Sequence, residues 1–303
     1  MKGMNVVSLV SPSEDLVMDS PDGDVSLGVK ITTFPDGQRD LRIVNLPVHD
    51  TARIDARLRN FSDLDLLIMA KRSLDDLGVK EVDLKCPYLP GARSDRRFGK
   101  GGTRYLAEVV APIINALGFR VVVVWDPHSD VAENVVAKMA KVPFHEVFAG
   151  RLSRFDHPML ASPDAGATKK VYDVASATGI TSVLLCSKHR DVATGKITGT
   201  HVPGTDHSGD IVVCDDIVDG GRTFTELAKA ARASAPSARL HLVVTHGIFS
   251  SAPLFDELTR AYSSITTTNS FRDLTEVERT VARDNGCELE VVDCFPSVIP
   301  QHA

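Results

Sequence analysis

The chain alternates between short, unbroken apolar runs and longer segments in which apolar residues recur every three or four positions. VVVVW (121–125), SVLLC (182–186), DIVVC (210–214) and LHLVVTHG (240–247) are the clearest runs. Each is short and most are rich in β-branched residues, which marks strands buried on both faces. EVDLKCPY (81–88) reads as a further strand, and CELEVVDCF (287–295) as a last one whose sheet the pattern leaves open. Helical patterns lie between them. LDLLIMAKRSLDDLG (64–78) has Ser62 as its N-cap and Gly78 as its stop. TRYLAEVVAPIINALG (103–118) opens at Thr103, closes at Gly118 and should bend at Pro112. SDVAENVVAKMA (129–140) starts from Ser129, and TFTELAKAARASA (223–235) follows the third run. Strand, helix, strand, helix predicts an α/β fold whose mostly parallel sheets are flanked by helices.

VVVVWDPHSD and IVVCDDIVDG both run an apolar strand straight into an aspartate, and Val121 and Ile211 begin them 90 residues apart. At 303 residues the chain is also long for one hydrophobic core. Two similar domains are expected, residues 1–145 and 146–303, with the last strand free to return to the first. The polar, Gly-rich stretch KHRDVATGKITGTHVPGTDHSGD (188–210) exceeds an ordinary connection and reads as a functional loop.

Composition narrows the function classes. Hydrophobic content of 43% and charged content of 24% are those of a soluble globular protein. A formal net charge of -6 gives no basic field toward nucleic acid or an anionic membrane, so neither is an expected partner. No apolar stretch reaches the roughly 20 residues that span a bilayer, and MKGMNVVSLVSPSEDL is too short in its apolar part for a signal peptide. The five cysteines form no CxxC pair and read as buried reduced thiols of a cytoplasmic protein.

The densest chemistry lies in DIVVCDDIVDGGRTF (210–224), where a strand exits into Asp215 and Asp216. Ligands of open parallel sheets collect beyond the carboxyl ends of the strands. The turn Asp219-Gly220-Gly221-Arg222-Thr223 leads into a helix. Glycines let successive N–H groups point inward, and the helix N-terminus adds partial positive charge, which together suit a phosphate. Paired carboxylates nearby suit sugar hydroxyls or a metal ion. A phosphorylated sugar fits all three features, and a Gly-rich turn with a capping threonine and surface aspartates fits the same residues taken alone.

These residues resemble the ribose-5-phosphate loop shared by phosphoribosyltransferases and ribose-phosphate pyrophosphokinases. The first half selects the second family. CPYLPGARSDRR (86–97) looks like that family's Ala-Arg-x-Asp-Arg signature, which places Arg93, Ser94, Asp95 and Arg96 near ATP. FPDGQ (34–38) resembles its Phe-x-Asp-Gly-Glu, through which Phe34, Asp36 and Gln38 would reach the ATP site of a neighbouring subunit. WDPHSD (125–130) resembles its Asp-Leu-His, with His128 beside metal and ATP phosphates. SPDAGATKK (162–170) resembles its Ser-Pro-Asp segment, with Asp164 helping to hold Mg²⁺. SKHR (187–190) resembles the start of its catalytic arm, with Lys188 and Arg190 as the catalytic cations. THGIFS (245–250) and TTTNS (266–270) also fit. Singly each of these passes for a turn or a solvated charge; the specificity lies in their order along the chain.

The resemblance implies a homo-oligomeric enzyme that uses Mg²⁺ and moves the diphosphoryl group of ATP onto ribose 5-phosphate. A phosphoribosyltransferase and a catalytically silent regulatory subunit are the alternatives, opposed by the ATP motifs and by the arm cations. Three positions depart from the family pattern. Ser94 stands where Gln is usual, Gln38 replaces an acid, and DGGRT replaces a loop closer to Asp-Thr-Ala-Gly-Thr. Arg222 either points to solvent or suits a larger, more anionic acceptor such as ADP-ribose, because guanidinium binds phosphate oxygens bidentately.

Overall fold

A computed structural model describes residues 3–10, 12, 17, 18, 23–190 and 197–295. The chain divides into two compact units, the first running to Val142 and including Cys294 and Phe295, the second spanning Pro143–Asp293. Both are α/β, and in each the main sheet is almost wholly parallel.

The first unit contains β1 (Asn5–Ser8), β2 (Val17–Met18), β3 (Val25–Ser26), β4 (Val29–Thr33), β5 (Arg39–Ile43), β6 (Thr51–Asp55), β7 (Glu81–Lys85), β8 (Val122–Trp125) and β9 (Met139–Val142). Its main sheet runs β2-β3-β1-β6-β7-β8-β9, antiparallel only where β2 meets β3, and β4 with β5 forms a separate hairpin. The helices are α1 (Phe61–Asp76), α2 (Ala111–Ala116) and α3 (Val131–Val135). Ile54, Leu84, Val122 and Val124 pack in one core with Leu64, Leu67 and Leu74 of α1 and Ile114 of α2. Each buried leucine of this kind contributes about 1.5–3 kcal/mol.

Four expected helix boundaries are corrected. Asn60, not Ser62, caps α1, because its side chain accepts from the Asp63 N–H while the Asp63 carboxylate reaches back to the cap N–H. The 103–118 segment becomes helical later, through a π-turn at Leu106–Val110 in which the Ala111 N–H bonds the Leu106 carbonyl. That wide turn precedes Pro112, so the proline sits in the first turn of α2, where it needs no donor. The helix expected over 129–140 stops at Val135. Asn115 donates to the Val135 carbonyl at 2.9 Å and accepts from the Ala137 N–H at 2.8 Å, and Met139–Val142 leaves as edge strand β9. Nor does Ser129 cap it, since the preceding Asp130 occupies the cap without a side-chain bond.

The second unit contains β10 (Met159–Ser162), β11 (Val183–Leu185), β12 (Ser187–Arg190), β13 (Ile197–His201), β14 (Asp210–Val218), β15 (Arg239–Gly247), β16 (Ser264–Thr268) and β17 (Glu288–Val292). Its helices are α4 (Phe144–Leu152), α5 (Thr168–Thr178), α6 (Arg222–Ser234), α7 (Ala252–Ala261) and α8 (Glu276–Asp284). The sheet order is β11-β10-β14-β15-β16-β17, parallel throughout. The last strand, left open by the sequence, pairs with β16 in this sheet.

Both faces are covered. Val212, Cys214 and Val243 pack with Phe144, Phe148, Val171 and Val174 of α4 and α5. Ile211, Val213, Leu242 and Val244 pack on the other side with Phe224, Leu227, Phe255 and Leu258 of α6 and α7. The chain enters this sheet at β10, steps to β11 on one side and then to β14 on the other. Between β10 and β14 lies the point where the winding reverses, the usual place for a ligand crevice in such sheets. All five cysteines are buried without disulfides, and burial pushes the Cys86 and Cys287 thiols up to about 12.

The exits of β14 and β15 are braced by one ion pair. Arg272 donates its Nε to the Ile248 carbonyl at 2.9 Å, and its guanidinium grips the Glu278 carboxylate of α8 through both terminal nitrogens. The Ile248 N–H in turn reaches the Val218 carbonyl at 2.9 Å, and the Ser250 N–H reaches that of Asp219 at 3.2 Å. Burial pushes the Glu278 carboxyl up, but Arg272 and the Thr275 N–H and hydroxyl outweigh it and hold it at about 2. A carboxylate lowered in this way stabilises the fold above its unfolded pKa of roughly 4.3 and loses that stabilisation as pH falls toward 2. Glu278→Gln is therefore expected to lower stability at pH 7 by about 1–3 kcal/mol and to flatten the acid limb, as read by denaturant unfolding at pH 7 and pH 3.

Candidate active site

In the second unit three neighbouring strands, β11, β10 and β14, deliver their carboxyl ends to one edge of the sheet. From β10 comes Asp164, from β11 the ribbon strand with Lys188 and Arg190, and from β14 the acid pair and the glycine turn. Strand β14 runs to Val218, four residues farther than expected, so Asp215 and Asp216 lie within it rather than after it. On the β10 side the ladder ends at Val213, which leaves this end of β14 paired only with β15.

Successive strand residues face opposite sides. Val212 and Cys214 pack against α4 and α5, and Ile211 and Val213 against α6 and α7. Burial first, and the neighbouring Asp216 charge second, push the Asp215 carboxyl well above the usual carboxylate range. The Asp216 N–H, bonded to Asp215 Oδ1 at 2.9 Å, and the Lys170 charge pull the other way without reversing it. Lys170 Nζ lies 3.6 Å from Asp216 Oδ1. Lys170 was inside the segment that singles out Asp164, yet sequence spacing gave no sign that the first turn of α5 would aim it at β14.

The turn after β14 is built for a close approach. Gly221 has φ +90°, and a Cβ there would lie 2.8 Å from Leu258 Cδ1. It occupies the cap of α6, so no side chain closes the helix N-terminus, and the N–H groups of Phe224 and Thr225 turn back to its carbonyl. Tyr262, buried behind the turn, donates its hydroxyl to the Phe224 carbonyl at 2.9 Å. Asp219, Gly220 and Gly221 thus lead from β14 directly into the first residues of α6, Arg222 and Thr223, at a helix N-terminus that no side chain caps. Arg222 is exposed and makes no ion pair or side-chain hydrogen bond among the described residues.

Asp164 has a structural task as well. Its Oδ1 accepts from the Gly166 N–H at 2.9 Å and the Ala167 N–H at 3.3 Å, capping the short turn that starts α5. Lys188 and Arg190 lie on β12, which pairs antiparallel with β13, Lys188 opposite Thr200 and Arg190 opposite Ile197. Residues 191–196 of the long polar loop fall outside the described residues.

In the first unit, residues 93–96 follow β7 and His128 follows its neighbour β8, so both groups leave adjacent parallel strands at their carboxyl ends. Arg93, Ser94, Asp95 and Arg96 span a short 3-10 turn opened by Gly91 at φ +77°, where a Cβ would meet Tyr105 Cδ1 at 2.7 Å. Asp126 holds φ +39° just before His128, an unusual conformation for a non-glycine at a strand exit. Phe34, Asp36 and Gln38 form the tip of the β4–β5 hairpin, with Asp36 accepting from the Gln38 N–H at 3.0 Å. The hairpin is tied to α1 through Arg39 and Asp65 at 3.0 Å, and Phe34 at its tip is 46% exposed.

Among the described residues no three His, Cys, Asp or Glu side chains converge to hold a metal. Asp164 offers a carboxylate of the hard-oxygen type that Mg²⁺ takes, with substrate oxygens and water able to complete its shell.

No family model matches the chain. The ribose-phosphate pyrophosphokinase of Sulfurisphaera tokodaii is 25% identical over 280 residues, covering 90% of each chain. That of Methanothermobacter thermautotrophicus is 29% identical over 209 residues, 66% of this chain and 70% of its own. The Haemophilus influenzae enzyme is 25% identical over 240 residues, 75% and 74% of the two chains. Over most of its length the chain is similar to ribose-phosphate pyrophosphokinases. Its fold matches the crystal structure of phosphoribosylpyrophosphate synthetase from Mycobacterium smegmatis with a TM-score of 0.77 at 17% identity, over 98% of this chain and 96% of that one.

For this pyrophosphokinase relative the two glycines of the cradle should respond differently to a methyl group. Gly221→Ala forces a side chain into the left-handed region against Leu258 and is expected to lower stability by about 1–2 kcal/mol. Gly220→Ala meets only Leu254 Cδ1 at 3.7 Å, an ordinary contact, and should leave the melting temperature within about 2 °C of wild type. Thermal unfolding of the two variants checks the contrast.

Proposed function

We propose that the protein transfers the β,γ-diphosphoryl group of ATP to the anomeric hydroxyl of ribose 5-phosphate, giving phosphoribosyl diphosphate and AMP. The observation that carries this reading is the acid pair of β14 running directly into a glycine-opened helix N-terminus at the switch point of the sheet. In this reading Asp215 and Asp216 receive the vicinal ribose hydroxyls, and residues 219–223 cradle the 5-phosphate through backbone N–H groups. Arg93, Ser94, Asp95, Arg96 and His128 serve ATP.

The anomeric oxygen attacks the β-phosphorus, the bond from that phosphorus to the bridging α-oxygen breaks, AMP leaves with the electron pair, and the hydroxyl proton passes to solvent. Such transfer depends on alignment and on neutralising spread negative charge more than on covalent help. His128 and Asp164 are the residues that would hold Mg²⁺, which when bound neutralises phosphate oxygens. Lys188 and Arg190 stabilise the charge that grows on the transferred group. Ser94 is too short to reach as far as the usual Gln, so the nucleotide base is held less selectively than in relatives with Gln.

The exposed Phe34 tip supports a homo-oligomer in which the hairpin completes a neighbour's ATP site, since it leaves an aromatic residue in solvent on a rigid two-stranded arm. Buried, unbridged thiols support a cytoplasmic location. Among the described residues no helix is long and apolar enough to cross a membrane. The similar proteins are named for ribose phosphate, which gives no reason to enlarge the acceptor to ADP-ribose.

Assays with Mg²⁺ and ATP, one containing ribose 5-phosphate and the other ADP-ribose, test the reading by AMP release. Turnover is expected with ribose 5-phosphate, with kcat falling about 10²–10³-fold in Lys188→Ala and in Arg190→Ala. AMP release with ADP-ribose alone would overturn the choice of acceptor, and AMP release with neither would overturn the activity.

A further inference from the structure

The acid pair raises a difficulty that the substrate alone does not remove. Two carboxylates on consecutive residues, both largely removed from water, repel each other before any sugar arrives. A grip on two hydroxyls also requires each carboxylate to hold a fixed direction. The structure supplies a fixed partner for one of them. Lys170 Nζ stands 3.6 Å from Asp216 Oδ1, and the two side chains are only 17% and 10% exposed. The ammonium also lies 5.8 Å from the centre of the buried Phe144 ring, so α4 and β14 hold it from two sides. Its own helix is set by the Asp164-capped turn, which fixes where the first turn of α5 begins.

We propose that Lys170 is a positioning residue for ribose-phosphate binding: it holds the Asp216 carboxylate in place and so sets the direction of the acid pair. The proposal rests on the assignment of that pair to the ribose hydroxyls. Lys170 approaches Asp216 from α5, on the side of β14 where Val212 and Cys214 pack against α4 and α5. The same ammonium also acts on Asp215, although burial and the Asp216 charge outweigh it and leave that carboxyl raised. Lys170 also ties the Asp164 turn to the sugar grip, since both depend on where α5 starts. A shift of that turn moves the charge beneath Asp216.

The test uses the full chain with Lys170→Met and Lys170→Arg, measuring kcat and both KM values by AMP release, ribose 5-phosphate affinity by isothermal titration, and melting temperature. Lys170→Met is expected to raise KM and Kd for ribose 5-phosphate about tenfold or more while KM for ATP stays within about twofold. Lys170→Arg, which keeps the charge, should recover most of that loss. Lys170→Gln replaces Lys170→Met if the latter does not fold. An unchanged ribose 5-phosphate KM in a folded, charge-removed variant would overturn the inference. So would a uniform loss in both KM values and kcat that tracks melting temperature and is not rescued by arginine, because that pattern marks a structural role. A wild type that releases no AMP with ribose 5-phosphate would overturn the functional reading itself, and this inference with it.

Discussion

The repulsion between Asp215 and Asp216 is the constraint on which the rest of the site depends. Both carboxylates lie where water is scarce, at the one end of β14 that has lost its β10 neighbour. A strand can carry them there only if its remaining ladder is secure. Eight paired positions with β15, from Asp210↔Arg239 to Val218↔Gly247, supply that security. Lys170 answers the charge from α5, and the backbone N–H of Asp216 answers it from within the strand.

The placement of the site follows the direction of the sheet. Parallel strands send all their carboxyl ends one way, and the winding reverses between β10 and β14, where ligands of such sheets usually bind. Both units place unusual backbone at such exits. Asp126 after β8 has φ +39° and Phe249 after β15 has φ +47°. Residues held this way cost free energy of order 1–3 kcal/mol and persist only where neighbours over-determine them. For Phe249 those neighbours are visible: its ring packs edge-on against Phe255 at 5.1 Å, and Arg272 lies 6.0 Å from the ring centre while bonding the Ile248 carbonyl.

Much of this was legible in the residue pattern, and the exceptions have physical causes. The buried runs announced the central strands because a strand covered on both faces has no polar alternation to hide it. Segment 129–140 misled because Ala132, Val135, Val136 and Met139 keep helical spacing, whereas Asn115, distant in sequence, captures the backbone and ends the helix. Ser62 looked like a cap, but the Asn60–Asp63 pair offered two reciprocal bonds where serine offered one. The acid pair and the glycine cradle were readable because their chemistry is contiguous. Lys170 was not, since its meeting with Asp216 is made by helix packing across 46 residues of sequence. Capping by Asp164 was equally hidden, because a carboxylate that holds a turn has the same local sequence as one that holds a metal.

The central claim is that the β-phosphorus of ATP, not the γ-phosphorus, is the atom attacked. Incubation with ribose 5-phosphate and ATP labelled at the β-phosphorus, followed by separation of nucleotide from sugar, tests this directly. The account predicts that the label moves wholly to the sugar diphosphate and that the nucleotide product is unlabelled AMP. Label retained in ADP, with a sugar monophosphate at the anomeric position, would show single phosphoryl transfer and contradict it.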